Sequence, residues 1–228
     1  MGKDISLKDL ALKIERLEAA RTIENIIALY INYHSASMQK ETVELFCKKT
    51  PGIRCIFNGD IYDGYEGVVL HFIERMGNAE MDLTGRLYAH DVLTPLIEVA
   101  ADAQSAKCLF STHGAETGNN PDGSLKSLWS WAKYRFDFLK EDGEWKIYRM
   151  ELHQTFNTAY EGKGWTEEPC YDIIGNAPDG FAEKNKPHRV TRVPYKPLST
   201  ETADCDIHNL IPKPPMPYDT YDFSPDEQ

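Results

Sequence analysis

The chain has 228 residues, of which 41% are hydrophobic and 11% aromatic, enough apolar material for a sizeable core and too much for wholesale disorder. A formal net charge of −11, with no dense Lys/Arg stripe, excludes nucleic acid as the main partner, because phosphate binding needs a basic face. No run of about 18 apolar residues occurs, so no membrane span is expected and the balance suits a cytoplasmic protein.

The opening Met1-Gly2-Lys3-Asp4 leads straight into a charged amphipathic pattern without the apolar stretch of a signal peptide. Met1-Gly2 with Ser6 matches the myristoylation pattern, a match too short to carry weight. Ser6 and Asp9 then form an N-cap pattern ahead of Leu7, Leu10, Ile14 and Leu17 at helical spacing. Ile23, Ile26, Ile27, Tyr30, Ile31 and His34 continue that spacing, so one long helix is predicted from about Ser6 to Tyr33. On this stripe Tyr30 and His34 point into the core, where a buried phenol needs a partner for its hydroxyl.

A short helix is predicted around Glu41–Cys47, ending before Pro51-Gly52. Ile53–Phe57, Asn58-Gly59 and Ile61-Tyr62 read as a β-hairpin, and Gly67–Met76 as a further helix carrying His71. From Arg86 the period becomes that of strands: Leu87–Val99 and Ser105–Ala115 flank a turn at Ala100–Gln104, and Gly114–Ser124 reads as a polar loop. Leu128–Leu139 and Trp145–Phe156 flank a second hairpin turn at Glu141-Asp142-Gly143. Helices followed by a run of antiparallel strands is an α+β plan. We place this core in residues 1–156 and an extension in 157–228. The extension holds most of the prolines, yet Trp165, Tyr171, Phe181, Tyr195, Tyr218, Tyr221 and Phe223 are too many aromatics for a solvated linker. An extended strap that packs on the core or on a neighbouring subunit is expected.

Five scattered cysteines without C-x-x-C point to free thiols rather than a disulfide framework or a zinc site. No H-x-H, H-E-x-x-H, G-x-S-x-G or Gly-rich phosphate loop occurs, so neither a metal nor another cofactor is expected. The histidines offer different chemistry. If Ala101-Asp102 centre a two-residue hairpin, His90 falls directly opposite His113 on one face of the sheet, with Cβ atoms roughly 4.5–5.5 Å apart. Two such imidazoles could serve one substrate as base and acid, since their ordinary pKa lies near neutrality. Pro95, which cannot donate to a ladder, marks an edge or a bulge, and one bulge would change the face each histidine uses. Two unrelated histidines on ordinary strands is the alternative.

Three segments together resemble the NTF2-like superfamily, in particular its SnoaL-like branch with scytalone dehydratase and the bile-acid dehydratases. They are Leu29-Tyr30 followed by Glu44-Leu45-Phe46, then Arg86-Leu87-Tyr88-Ala89-His90 running to Pro95-Leu96-Ile97-Glu98-Val99, then Tyr134 through Asp142-Gly143-Glu144-Trp145-Lys146-Ile147. The resemblance spans roughly residues 15–155. It implies a cone-shaped, strongly curved antiparallel sheet wrapped by N-terminal helices around an apolar ligand. It also implies a catalytic tyrosine at Tyr30, a histidine at His90 and a second group at His113. Many members carry Asp five residues after the helix tyrosine, where this chain has Ser35.

The expectation is a cofactor-independent lyase (dehydratase) or isomerase acting on a hydroxylated ring-type molecule. His90, His113 and Tyr30 would be catalytic, with His34, Phe57, Tyr62, Trp131 and Tyr134 lining the substrate pocket. A histidine buried among these rings should have a lowered pKa and stay neutral. A non-catalytic binding module, or an association subunit like the β subunit of ring-hydroxylating dioxygenases, remains open. Self-association as a dimer or trimer is expected from the exposed sheet face and the strap.

Overall fold

The computed structural model describes residues 5–76, 82–120, 122–167, 189–190 and 194–224; the Met1-Gly2 motif, Cys170, Tyr171 and Phe181 lie outside them. Helix α1, Leu7–Ser35, starts where the Ser6 hydroxyl accepts from the Asp9 backbone N–H and the Asp9 carboxylate accepts from that of Ser6. Its second half carries the buried stripe Ile23, Ile26, Ile27, Tyr30, Ile31 and His34. The first half differs from expectation. Leu7, Leu10, Ile14 and Leu17 keep helical spacing but stay exposed, and these turns meet the sheet through Glu15, which pairs with Lys140, and Arg16, which donates to the Val99 carbonyl.

Helix α2 is Gln39–Val43, shorter and earlier than predicted. Strands β1, Arg54–Phe57, and β2, Asp60–Asp63, form the predicted hairpin around Asn58 and Gly59. Both turn residues have positive φ, 49° and 85°, which is why Asn-Gly stands there. Helix α3, Gly64–Val69, runs into a π-helical turn at Leu70–Arg75. Strands β3, Tyr88–Val92, and β4, Leu96–Val99, both pair with β5, Ser105–Asn119. Strands β6, Leu125–Glu141, and β7, Glu144–Ala159, complete a long meander closed by Asp142-Gly143. The polar loop expected from Gly114 is strand as far as Asn119, its glycines giving close approach to neighbours rather than a turn.

Among the described residues, eight strands follow the order β3-β5-β6-β7-β1-β2-β8, with β4 also on β5 and β8 being Arg189–Val190. β1 runs parallel to β7, so this curved α+β sheet is mixed rather than wholly antiparallel. The core lies between α1 and the concave face. Tyr30 meets Phe72, Tyr134 and Phe136 edge-on, and Phe110, Phe136 and Phe138 stack along β5 and β6. Residues 194–224 cross the opposite face. There Tyr221 donates to Asp137 at 2.7 Å, Lys107 sits over the rings of Tyr218 and Tyr221, and Asp206 meets His153 at 2.9 Å. Cys47, Cys55, Cys108 and Cys205 are buried free thiols.

Candidate active site

The bulge between β3 and β4, not the turn between β4 and β5, decides which histidine faces inward. Val99 pairs with Ala106 and the Ala100 N–H donates to Ser105, so the loop holds four residues, Ala101–Gln104, and not two. Farther along, three residues, Leu93–Pro95, face only Phe110 and Ser111, the bulge that Pro95 signals. The net register sets His90 opposite Gly114 and Asp91 opposite His113. A one-residue slip reverses faces, so His90 and His113 do not converge. His113 lies on the convex side, stacked on Trp131 at 5.2 Å and 3.4 Å from Asp91. Trp131 continues into Phe156 on that side and is no pocket wall either.

The concave side holds a cavity of about 170 Å³, room for a small cyclic molecule. His34, Phe57, His90 and Tyr134 line it. Tyr62 is buried against His71, outside the lining. Tyr30 is only 1% exposed and one layer behind, hydrogen-bonded through its hydroxyl to Tyr134. Burial pushes both phenols well above their ordinary pKa, so both keep their protons at neutral pH.

His90 sits beneath α1. Its Nε2 is 3.8 Å from Glu116 Oε1, its backbone N–H reaches the Ser35 hydroxyl at 3.4 Å, and its ring lies 5.3 Å from that of His34. Gly114 makes this possible, since a Cβ there would stand 2.7 Å from His90 Nδ1. Burial, then the neighbouring His90, lower His34 to a pKa of about 3, against a smaller opposing effect from Gln39. The Gln39 amide donates to His34 Nδ1 at 3.3 Å, which leaves the proton of this neutral imidazole on Nε2.

A fixed polar wall stands on β6 and β7. The Asn58 side chain donates to Gln154 Oε1 at 3.1 Å, and Gln154 Nε2 donates to Ser130 Oγ at 3.1 Å. With Gln154 occupied at both ends, the Ser130 hydroxyl retains its own proton for a ligand. Arg75, Arg86, Tyr88 and Glu116 also line the cavity. The sequence gives none of these four a role in the site, although Arg86 and Tyr88 fall in the segment that resembles the family's histidine-bearing strand. Glu116 becomes visible only from the register, which pairs it with Tyr88 on the face of His90. Burial pushes the Cys47 and Cys108 thiols up to about 12, so neither offers a thiolate nucleophile.

The sequence pattern of the SnoaL-like domain matches residues 15–151. The chain belongs to the SnoaL-like domain family. Solved structures share the fold of this SnoaL-like chain at low identity. A provisionally assigned scytalone dehydratase from Novosphingobium aromaticivorans is 19% identical, with 66% of this chain and 93% of that one covered at a TM-score of 0.52. A hexachlorocyclohexane dehydrochlorinase, LinA type 3, from Novosphingobium barchaimii is 16% identical, with 66% and 95% covered at 0.51. An NTF2-like protein with a cystatin-like fold, also from N. aromaticivorans, is 18% identical over 71% and 94% at 0.50. No curated protein matches significantly.

Proposed function

We propose that this SnoaL-like chain is a cofactor-independent acid–base lyase or isomerase for a hydroxylated ring compound bound in the concave cavity. The observation that carries it is the convergence of His90, Glu116, a neutral His34 and the Tyr134 hydroxyl on one cavity with Phe57, Leu128, Ala132 and Leu152 as apolar walls. His90 Nε2 takes the proton from the carbon next to a ring carbonyl, and the Glu116 carboxylate stabilises the imidazolium that results. Tyr134 donates to the carbonyl oxygen as negative charge develops there, and Tyr30 positions Tyr134 from behind. For elimination, the carbon–oxygen bond then breaks and the proton on His90 passes to the departing hydroxyl, so that water leaves and a conjugated carbonyl remains. For isomerisation the proton returns to another carbon. His113 takes no part.

A scytalone dehydratase assignment and a dehydrochlorinase among the fold neighbours support the reading, since both names describe eliminations. The second reading, a non-catalytic ligand carrier, is favoured by Ser35, which places a hydroxyl where many family members carry an acid. The test is a panel of cyclic β-hydroxy ketones followed by the ultraviolet absorbance of the enone. H90Q and E116Q should each lower turnover by about 10²–10⁴-fold, and H113Q should leave it unchanged. Full activity in H90Q would show that the base lies elsewhere.

A further inference from the structure

The charge lining the cavity is opposite in sign to that of the chain. In a protein of net charge −11, the cavity wall carries two guanidiniums, Arg75 and Arg86, against one carboxylate, Glu116, which faces His90. Arg16, Arg21, Arg54, Arg86 and Arg135 each reach an oxygen of the chain. Arg75 is different. Its guanidinium lies 4.9 Å over the Phe57 ring, and among the described residues no carboxylate comes within ion-pair distance. It is turned inward, because its field is among the causes that lower His71 (after burial) and acts against burial at Cys55. A half-buried cation with no carboxylate beside it among the described residues is costly unless a ligand supplies one. Phe57 holds the guanidinium plane in place by cation–π contact, which leaves the N–H fork for a planar anion.

We propose that the substrate or ligand of this cavity is a ring compound bearing a carboxylate, paired with Arg75 while the ring rests on Phe57 and its reacting carbon faces His90. This rests on the reading of the cavity as a site for ring compounds and deepens it. The anion anchors the ring at the end of the π-helical turn and sets which carbon meets β3. Arg86, held by Asn119 at 3.0 Å, adds positive potential to the same cavity.

The test is calorimetric titration at pH 7 with 2-naphthoate and its neutral counterpart 2-naphthamide, neither of which needs turnover. The wild-type protein should bind naphthoate about ten- to hundredfold more tightly, R75Q should erase the preference, and H113Q, on the convex face, should keep it. If R75Q does not fold, as judged by its thermal scan, R75K takes its place; it retains the charge but loses the fork and should show a severalfold smaller ratio. Equal affinities in the wild type, no binding of either ring, or a ratio unchanged in the Arg75 variant overturns the proposal. Enone formation lost in H90Q with no naphthoate preference overturns this inference and leaves the acid–base reading standing. An Arg75-dependent preference with turnover unaffected by H90Q does the reverse.

Discussion

Gly114 and His34 both border His90, one leaving room for its ring and the other setting a neutral imidazole beside it. A Cβ at Gly114 would stand 2.5 Å from the Ala89 carbonyl oxygen as well as 2.7 Å from His90 Nδ1. G114A is therefore expected to cost about 1–3 kcal/mol in urea melts and to displace the His90 ring, lowering turnover beyond what the stability loss accounts for. Wild-type turnover in that variant would mean that the ring position is not critical. His34 has a folded-state pKa of about 3 against an ordinary 6.5, so it stays neutral across the physiological range. The unfolded chain takes up this proton below 6.5 while the folded one does not, so His34 lowers stability progressively as pH falls from 6.5 towards 3. Imidazole ¹³C shifts followed from pH 8 to 4.5 should show no titration at His34. Its titration near 6.5 would contradict the buried, Gln39-bonded state.

The strap that crosses the convex face is fastened by a titratable clamp. His153 Nδ1 lies 2.9 Å from Asp206 and its Nε2 2.6 Å from Glu151, which also meets Arg135. Burial acts to lower the His153 pKa, but the two carboxylates outweigh it and the net shift is upward. Below 6.5 both folded and unfolded states hold the proton and the clamp is at full strength; as pH rises through the raised folded value, its contribution is lost. Proteolysis within 194–224 should therefore accelerate on passing from pH 6 to pH 9. D206N should be fast at both, at a cost of about 1.5–3 kcal/mol to the docked state. A pH-independent rate in the wild type would show that His153 is not the fastener. Local chemistry made several elements legible from the residues: Ser6 and Asp9 start α1, and Asn58-Gly59 and Asp142-Gly143 close their hairpins with positive φ. The pairing of β3 was not legible. The four-residue turn shifts the pairing by two residues and keeps the faces, whereas the one surplus residue at Leu93–Pro95 moves His113 from one side of the sheet to the other. Glu116 and Arg75 were hidden for a related reason, since membership of the cavity follows from register and from the π-helical turn rather than from any motif.

For the whole molecule, the described part of the C-terminal region behaves as a second cover on the sheet, opposite α1. Cys205 and Tyr221 are buried, and the Ala101 and Asp102 N–H groups donate to the carbonyls of Tyr218 and Asp219. Deleting residues 194–228 removes these contacts and opens Asp137 to water. After allowance for the entropy of ordering the strap, the expected loss is about 2–4 kcal/mol, or roughly 5–15 °C in Tm by scanning calorimetry. An unchanged Tm would make the strap dispensable for stability. The bulge at Leu93–Pro95 has a wider consequence. Shortening that stretch by one residue leaves the histidine looking at the ligand, because the surplus residue is the one already set aside. Letting the stretch zip up at full length, as Pro95→Val would permit, rotates the strand and delivers Asp91 to the ligand instead. Which acid or base this scaffold presents is thus a matter of arithmetic along one strand, and a lineage could change its chemistry there without altering either of the competing side chains.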